Sequence, residues 1–596
     1  MKKPLDILKA YYGYESFRPG QQDVIDTLLS GRDCLAIMPT GAGKSICFQV
    51  PALMMPGITL VISPLISLMK DQVDGLRVQQ IPATYINSAL SLEEVRERVQ
   101  AIWQKRVKIV YMAPERLENA YFRGLLKQIP LSMVIIDEAH CVSQWGHDFR
   151  PSYCGIKDWL TSCPVRPVVG AFTATATPKV KEDIQALLGL QEERVFFTGF
   201  DRPNLYFRVV QPMRRMDYVQ QYVKEHAGES GIVYAATRKD VDQIYQALTV
   251  MGIKAGRYHA GMSDEERRKM QERFTYDDIE VMAATNAFGM GIDKSNVRYV
   301  VHYQMPKDME SYYQEAGRAG RDGAPAECVL LYSGQDVQLQ KFLIDHSGSD
   351  GERRQKELDK LQDMIEYCYT SRCLRRFILK YFGEKPDWTA CGHCGSCERK
   401  KEKVDRTAEA KIVLQCIKEL RERFGVTMVC DVLKGAENQK IFEYQMDDFI
   451  SYSKLSSWRV PEIRGLIQQL ISDGYIKKTS GQYPVLQISA RGQQVLNGME
   501  TVETVGREIA GAARAVSVSA RHKSSGLFEE LRQLRHRLAK ESGIPPFVIF
   551  ADTVLIDMAA SKPSTLEEMG AIRGIGTFKL QRYGEIFLQA IQNYKE

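Results

Sequence analysis

The sequence predicts a multidomain α/β protein whose core consists of two similar lobes, each built on a parallel β-sheet. Three observations support this prediction. A glycine-rich loop follows the apolar run Cys34–Ile37, short apolar runs that end in polar clusters recur as far as residue 172, and the same pattern begins again near Leu205. Short buried strands that alternate with helices are typical of doubly wound sheets, which bind ligands at the carboxyl ends of their strands.

Bulk composition narrows the class of protein. The chain has 596 residues and 13 cysteines, and its formal net charge is +6. This length exceeds what one hydrophobic core supports, so several domains are expected. Most cysteines stand singly in apolar runs, which indicates a reducing compartment, and no apolar run is long enough for a membrane span. We therefore expect a cytoplasmic protein without a membrane partner.

The glycine-rich loop, Met38–Ser45, has the features of a phosphate-binding P-loop between a strand and a helix. Lys44 is positioned to reach the outer phosphates of a nucleotide, and the hydroxyl of Ser45 can hold Mg²⁺. Backbone N–H groups of the loop can close around a phosphate beside the positive end of the helix dipole. We assign the backbone contacts with the phosphate to Thr40, Gly41 and Gly43. The loop therefore predicts ATP and Mg²⁺ as cofactors.

A polar loop before the first long predicted helix carries candidates for contact with adenine. The side-chain amide of Gln21 offers both a donor and an acceptor, which suits the edge of an adenine ring. Tyr14 or Arg18 could stack on the face of that ring. From these residues alone, an ordinary surface loop that starts a helix explains the pattern equally well.

Two carboxylates, Asp137 and Glu138, follow the apolar run Met133–Ile136. In an ATPase, Asp137 would reach Mg²⁺ through water, and Glu138 would orient and deprotonate the attacking water. Solvation of a strand end is the alternative explanation. The P-loop at the usual interval upstream favours the catalytic interpretation.

An aromatic-rich loop, 143–153, comes directly after these carboxylates. Trp145 and Phe149 offer faces on which unpaired bases can stack. His147 and Arg150 are potential cations, and Arg150 suits a contact with a backbone phosphate. The alternative is a loop that packs on itself over an apolar patch. The residue content favours contact with a single strand of nucleic acid.

The second lobe has no P-loop or Asp-Glu pair of its own and instead contains the segment Gln314–Gly323. Two arginines in it, Arg318 and Arg321, are three residues apart among glycines and alanines, so they would lie on the same face of a helix. An arginine finger is presented in this way to the γ-phosphate of a nucleotide on a neighbouring lobe. A solvated charged turn, the alternative, does not explain the small residues between the arginines.

Together these motifs resemble the RecQ family of superfamily 2 DNA helicases. The aromatic-rich loop is the most family-specific of the segments that carry the resemblance, which are 17–21, 40–45, 137–140, 144–150, 288–291 and 314–323. The resemblance implies two RecA-like lobes that bind ATP in their cleft and step along single-stranded DNA in the 3′-to-5′ direction. It also implies that the aromatic-rich loop couples DNA binding to hydrolysis, and it adds Gln314 and Asp293 to the predicted ATP site.

A cysteine cluster follows the second lobe. Three cysteines have the C-x₂-C-x₂-C spacing at which thiolates converge on one ion: Cys391, Cys394 and Cys397. Their chemistry leaves the fourth ligand open among Cys373, Cys368 and His393, and it leaves iron–sulfur ligation as a minor alternative to Zn²⁺. Resemblance to the family pattern assigns Cys373 and a closed, structural Zn²⁺ site. Nearby basic residues that could also contact DNA phosphates are Arg372, Arg375, Arg376 and Lys380.

The C-terminal third is interpreted mainly by resemblance. Helices followed by a short hairpin around Gly481 suggest a winged helix, and the final helices resemble the helical bundle called HRDC. The predicted boundaries are 1–204 for the first lobe, 205–340 for the second lobe, 341–403 for the zinc-binding element, 404–500 for the winged helix, 501–523 for a flexible linker and 524–596 for HRDC. The sequence does not decide whether HRDC binds DNA or docks on the core.

We therefore predict an ATP-dependent DNA helicase that unwinds duplex and branched DNA in recombination, repair and the SOS response. Its expected partners are single-stranded and duplex DNA, single-stranded-DNA-binding protein and other repair proteins. Two alternatives are a nucleic-acid-binding protein that uses ATP only as a switch, and an RNA helicase of the Asp-Glu-Ala-His type. Strand separation distinguishes the first alternative, and stimulation of ATP hydrolysis by DNA against RNA distinguishes the second.

Overall fold

The computed structural model describes residues 3–64, 66–88, 90–144, 146, 149–289, 294–347, 351–398, 403–479, 484–505, 509–510 and 526–594. Three residues of the predicted sites lie outside these ranges: Trp145, His147 and Asp293. Most of the predicted linker and the predicted hairpin turn at 480–482 also lie outside them. Within the described ranges, no helix combines the length and the apolar character that a membrane span requires.

The first lobe is a parallel sheet with helices on both of its faces. Its strands are β1 Cys34–Ile37, β2 Ile58–Ile62, β3 Ala83–Ile86, β4 Ile109–Met112, β5 Leu131–Ile136, β6 Val168–Thr173 and β7 Arg194–Phe197. Its helices are α1 Pro4–Ile7, α2 Gln21–Leu29, α3 Lys44–Met54, α4 Ile66–Val78, α5 Leu92–Trp103, α6 Ala120–Lys127, α7 Ile156–Thr161 and α8 Pro178–Leu188. The strand order is β3-β4-β2-β5-β6-β1-β7. β1 and β2 are buried at every position, because helices cover both faces.

The second lobe repeats this architecture. Its strands are β8 Leu205–Pro212, β9 Ser230–Tyr234, β10 Ala255–Tyr258, β11 Val281–Ala284, β12 Val297–His302 and β13 Ala326–Leu331. Its helices are α9 Arg215–Glu225, α10 Arg238–Val250, α11 Asp264–Thr275, α12 Met309–Ala316 and α13 Gly334–Asp345. The described strands lie in the order β10-β11-β9-β12-β13-β8, and every pair among them is parallel. In both lobes the loops after the strands therefore meet at one edge of the sheet.

A helical element and a winged helix follow the lobes. The element contains α14 Gly351–Tyr369, α15 Leu374–Tyr381 and α16 Gly395–Glu398. The winged helix contains β14 Lys403–Asp405, α17 Thr407–Glu419, α18 Val426–Lys434, α19 Gln439–Glu443, α20 Val460–Ser472, β15 Ile476–Lys478, β16 Leu486–Ile488, α21 Ala490–Leu496 and β17 Glu503–Val505. The wing is the antiparallel pair β15–β16, and β14 pairs antiparallel with β17. The hydroxyl of Ser371 donates to Asp473 across 2.6 Å and joins the two modules.

The chain ends in a helical bundle. A two-residue strand, β18 Ile509–Ala510, first adds to the edge of the second sheet beside β8. The bundle consists of α22 Gly526–Ser542, α23 Pro546–Ile549, α24 Asp552–Ser561, α25 Leu566–Gly570 and α26 Thr577–Asn593. With two parallel-sheet lobes, a helical element, a winged helix and this bundle, the predicted fold class is confirmed. β17 and β18 lie within the segment that the sequence suggests is a flexible linker.

Candidate active site

The P-loop connects β1 to α3 and lies against the second lobe. Gly41 and Gly43 have φ values of 80° and 83°, in the left-handed region that favours glycine. A Cβ atom at Gly41 would lie 3.4 Å from both the Cα and the carbonyl oxygen of Arg321. The Nζ atom of Lys44 lies 3.4 Å from the carbonyl oxygen of Met38, at the end of β1. The loop therefore has the backbone conformation of a phosphate cradle, with the arginine segment of the other lobe beside it.

The loop that precedes α2 is fixed to the P-loop through Gln21. The Oε1 atom of this buried side chain accepts a hydrogen bond of 2.8 Å from the backbone N–H of Arg18. Its Nε2 atom lies 3.1 Å from the carbonyl oxygens of Ala42 and Gly43. Tyr14 lines the cavity between the two lobes, which the P-loop also lines. The amide of Gln21 thus bonds to backbone in this structure, and its contact with adenine stays a prediction.

The two carboxylates follow β5 in a constrained turn. Glu138 has a φ value of 47°, which is strained for a residue with a Cβ atom and is typical of functional sites. Its Oε2 atom lies 3.4 Å from Nδ1 of His140, and that nitrogen lies 2.8 Å from Oγ1 of Thr173 at the end of β6. The hydroxyl of Tyr153 donates to the carbonyl oxygen of Asp137 across 2.9 Å. The end of β6 therefore constrains the carboxylate of Glu138 through His140, and Tyr153 fixes the backbone of Asp137.

The arginine segment follows α12 in the second lobe. Arg318 is only 3% exposed, and burial lowers the pKa of its guanidinium from the ordinary value. The negative charges of Glu315 and, from the first lobe, of Glu138 partly oppose this lowering of the pKa. Arg321 lies nearer to the P-loop, beside Gly41. Both arginines line the cleft between the lobes. They lie in turns after α12, which ends at Ala316, so the expectation that they share one face of a helix is wrong.

The predicted nucleotide-site residues that the structure describes surround one cavity of about 850 Å³ between the lobes. They are Tyr14, Arg18, Gln21, Thr40, Gly41, Gly43, Lys44, Ser45, Asp137, Glu138, Gln314, Arg318 and Arg321. The volume lies in the range of ordinary ligand sites. Cations, carboxylates and a phosphate-binding loop therefore converge from two lobes on a space that a nucleoside triphosphate fits.

Sequence reasoning missed Arg202, which lies between the lobes and is buried. Its Nη1 atom donates to the carbonyl oxygen of Thr40 across 2.6 Å. Its Nη2 atom donates to the carbonyl oxygens of Ala319 and Gly320 across 3.0 and 2.8 Å. The hydroxyl of Thr40 donates in turn to the carbonyl oxygen of Gly317 across 3.0 Å. The only sequence signal was the position of an arginine at the junction of two predicted lobes.

Two of the four predicted DNA-contacting residues are described. Phe149 and Arg150 are both half-buried. Arg150 donates to the carbonyl oxygen of Pro64, after β2, across 3.0 Å, and its backbone N–H donates to Cys141 across 2.8 Å. The loop is therefore tied to a second strand-end loop of the first lobe. Stacking on bases and contact with a phosphate stay predictions.

A cluster of four cysteines forms where the start of α15 meets α16 and the loop before it. Its sulfur atoms are within 4.8 Å of one another, and they belong to Cys373, Cys391, Cys394 and Cys397. Two of the sulfur pairs are 3.9 Å apart, close to the separation of about 3.8 Å that tetrahedral zinc–thiolate bonds of about 2.3 Å produce. Backbone N–H groups of Arg376 and His393 approach the sulfurs at 3.5 and 3.3 Å and would stabilise thiolates. The group fits a closed Zn²⁺ site.

The other two candidates for the fourth ligand are not part of this cluster. Cys368 is buried within α14 and is not one of the four clustered residues. The ring of His393 instead packs edge-on against Tyr206, with 5.2 Å between ring centroids. The geometry therefore agrees with the choice of Cys373.

The expectation that Arg375 contacts DNA is wrong. This side chain is 5% exposed, and its guanidinium donates to Oδ1 of Asp201 across 3.1 Å and to the carbonyl oxygen of Leu205 across 2.6 Å. Arg375 therefore fixes the zinc-binding element to the start of the second lobe. Arg372 likewise donates to the carbonyl oxygen of Asp473 in the winged helix.

Fold and site together define a two-lobe helicase-type ATPase with appended zinc-binding, winged-helix and helical modules. Family models match each part of the chain. They are DEAD/DEAH box helicase at 18–184, helicase conserved C-terminal domain at 214–323, RecQ zinc-binding at 334–398, RQC domain at 400–509 and HRDC domain at 524–591.

Whole-chain relatives identify the family. The chain is 48% identical over 590 residues to "ATP-dependent DNA helicase RecQ" of Bacillus subtilis (strain 168). The matched region covers 99% of this chain and 98% of the relative. It is 40% identical over 597 residues to the protein of the same name from Pasteurella multocida, with coverage of 99% and 94%. The chain therefore belongs to the RecQ family of ATP-dependent DNA helicases, and the predicted resemblance is confirmed.

Proposed function

We propose that this protein uses ATP hydrolysis to move in the 3′-to-5′ direction along one DNA strand and to separate the strand from its partner. The observation that carries the proposal is the single cavity lined by Lys44 and Glu138 of the first lobe and by Arg318 and Arg321 of the second. A nucleotide bound there contacts both lobes, so its hydrolysis changes their relative position. Membership of the RecQ family supports DNA as the substrate.

Each side chain has a role in hydrolysis that its place in the cavity supports. Lys44 binds the outer phosphates, and the P-loop N–H groups surround them. Glu138 orients the attacking water and accepts its proton. Arg321, with Arg318 and Gln314 beside it, stabilises the charge that develops on the γ-phosphate. Because these arginines belong to the second lobe, full stabilisation requires the closed cleft.

Magnesium is the expected companion of the nucleotide. Ser45 and Asp137 provide the hard oxygen donors that Mg²⁺ prefers, and both line the cavity. The ion would neutralise phosphate charge. We assign Ser45 and Asp137 to hold it, directly or through water.

DNA binding is assigned to the aromatic-rich loop. Phe149 and Arg150 supply a stacking face and a cation, and we propose that Trp145 and His147 of the same loop act with them. The loop begins a few residues after Glu138, so a change in strand contact is transmitted to the catalytic carboxylates over a short path. We further propose a cytoplasmic protein of DNA recombination and repair, with single-stranded-DNA-binding protein among its partners.

Unwinding of tailed duplexes tests the proposal. Two duplexes of the same sequence, one with a 3′ and one with a 5′ single-stranded tail, are incubated with the protein, ATP and Mg²⁺. Separation of only the 3′-tailed duplex is expected, and none by Lys44→Ala, which should still bind single-stranded DNA. ATP hydrolysis and tight DNA binding without separation of either duplex would contradict translocation and favour an ATP-driven switch.

A further inference from the structure

Three neighbouring strand ends of the second lobe place a tyrosine beside the arginine segment. Tyr234 is the last residue of β9, and it is paired with Ala284 at the end of β11 and with His302 at the end of β12. Its side chain is buried, and its ring is stacked on the ring of His302 with 5.6 Å between the centroids. This packing fixes the tyrosine ring at the carboxyl edge of the sheet, where the loops of the site meet.

The hydroxyl of Tyr234 has a defined direction. It donates a hydrogen bond of 2.6 Å to the carbonyl oxygen of Phe288, in the loop that follows β11. Because a carbonyl group can only accept, the hydroxyl proton lies toward Phe288, and the lone pairs of the tyrosine oxygen remain for a second partner. The tyrosine therefore joins this loop to any group that donates to its oxygen.

Arg318 is the group that meets this oxygen. Its guanidinium lies close enough to the hydroxyl of Tyr234 for a hydrogen bond and for an electrostatic interaction. Burial raises the pKa of that hydroxyl, and the positive charge of Arg318 partly opposes the shift. The Nη2 atom of Arg318 also lies 3.4 Å from the position of a Cβ atom added at Gly289, the residue after Phe288. The arginine is therefore packed against both the tyrosine and the loop after β11.

A neutral acceptor suits an arginine that acts on phosphate. The carboxylate of Glu315, in the same segment, has its Oε2 atom 2.9 Å from Nε2 of His302. A hydroxyl orients a guanidinium without cancelling its charge, whereas a carboxylate bound directly to the guanidinium would compete with the phosphate for that charge. Tyr234 can therefore fix the orientation of Arg318 while the positive charge stays available to the nucleotide.

We propose that Tyr234 is a positioning residue for ATP hydrolysis, whose hydroxyl holds the guanidinium of Arg318 in the orientation that the γ-phosphate requires. The inference rests on the proposed function, because it takes Arg318 to act on the γ-phosphate. Since the same hydroxyl donates to Phe288, the arginine and the loop after β11 form one unit. A displacement of this loop then changes the position of Arg318 in the cleft.

Steady-state ATP hydrolysis by the full chain, at saturating single-stranded DNA, tests the proposal. Tyr234→Phe keeps the stacked ring and removes the hydroxyl. It should lower kcat about tenfold, the usual effect of losing one hydrogen bond to a charged group, and leave the affinity for ADP unchanged. Wild-type kcat in Tyr234→Phe would overturn the proposal and leave the proposed function intact. Failure of the wild type to hydrolyse ATP would reject both.

A tyrosine of the same sheet provides the matched control. Tyr299, on β12, is buried, and its hydroxyl has no hydrogen-bond partner among the described residues. Tyr299→Phe therefore removes a buried hydroxyl without removing a hydrogen bond, and it should hydrolyse ATP as the wild type does. An equal loss of kcat in both variants would overturn the proposal, because the effect would then follow from any change inside this sheet.

A double-mutant cycle separates positioning from an independent role. In an Arg318→Ala background, Tyr234→Phe should cause no further loss of kcat, because the hydroxyl acts through the guanidinium. Losses that multiply in the double variant would mean that Tyr234 acts without the arginine, and they would overturn the proposal.

Binding of a transition-state mimic gives a measurement that does not depend on turnover. ADP with aluminium fluoride places a mimic of the transferred phosphoryl group beside the cleft arginines. Tyr234→Phe should bind this combination about tenfold more weakly than the wild type, while binding ADP alone equally well. The melting temperature reports separately on the lost hydrogen bond to Phe288. A lower melting temperature with unchanged affinity for the mimic would assign the hydroxyl to stability alone and overturn the proposal.

Discussion

The guanidinium of Arg202 donates to the carbonyl oxygen of Thr40 across 2.6 Å and so joins the segment between the lobes directly to the P-loop. The same side chain donates to the carbonyl oxygens of Ala319 and Gly320. These two residues lie between Arg318 and Arg321 in the sequence. One buried cation therefore satisfies acceptors on both sides of the nucleotide cavity. Any movement of Arg321 relative to the P-loop must break or exchange these hydrogen bonds.

Replacing Arg202 should uncouple the two halves of the site. Arg202→Ala leaves buried carbonyl groups without donors, at a cost of about 1–3 kcal/mol each. We expect a melting temperature several degrees lower and a larger loss in kcat for DNA-stimulated ATP hydrolysis than in nucleotide affinity. Arg214→Ala is the matched control, because that side chain is 82% exposed. Wild-type kcat in Arg202→Ala would contradict the coupling.

The sequence predicts the motifs that lie at the ends of strands and helices better than it predicts the contacts between the two lobes. The P-loop, the Asp-Glu pair and the cysteine spacing are local patterns, and each is found where a strand or helix end presents it. Arg202 has no local pattern, because its acceptors in the P-loop and the arginine segment are more than 100 residues away along the chain. The inward orientation of Arg375 and the hydrogen bond from the backbone N–H of Gly574, in the C-terminal bundle, to the carbonyl oxygen of Gly13 also depend on tertiary contacts that no periodicity encodes.

Removing the side chain of Arg321, which lies beside the P-loop, should lower the rate of ATP hydrolysis more than the affinity for nucleotide. Arg321→Ala is expected to lower kcat for ATP hydrolysis about 10³-fold, the lower end of the arginine-finger effect, with little change in affinity for ADP. Arg321→Lys should recover only a small part, because an ammonium lacks the planar fork of donors. Arg268→Ala, on the exposed face of α11, should hydrolyse ATP normally. An equal loss in ADP affinity would assign Arg321 to ground-state binding instead.

Loss of the zinc-binding cluster should destabilise the second lobe. The cluster is attached to that lobe by the hydrogen bond of 2.6 Å between Tyr206 and Glu398 and by the bonds of Arg375. Cys394→Ser should reduce bound zinc from about one ion per chain to near zero and lower the melting temperature by several degrees. Cys154→Ser, which changes an exposed cysteine, should alter neither. Full zinc content in Cys394→Ser would reject the four-cysteine site.

A buried carboxyl group in α14 should make stability depend on pH near neutrality. Burial, together with the negative charges of Glu366, Glu310 and Asp359, raises the pKa of Asp363 to about 7. Lys360 opposes this shift only partly, because its ammonium pairs with Glu310 at 2.9 Å. The folded protein therefore keeps a proton on Asp363 that the unfolded chain, with an ordinary pKa near 4, releases.

The sign of the effect follows from this difference in proton binding. Between about pH 4 and pH 7 the folded state holds one more proton, so the free energy of unfolding falls as pH rises and levels off above pH 7. Asp363→Asn removes this dependence and should unfold at higher urea concentration than the wild type at pH 8, by about 2 kcal/mol after allowance for the partial exposure of the side chain. At pH 4 the two proteins should be equally stable. Asp447→Asn, at an exposed position, is the control. A stabilisation that is the same at pH 4 and pH 8 would mean that the substitution acts through packing and that Asp363 has an ordinary pKa.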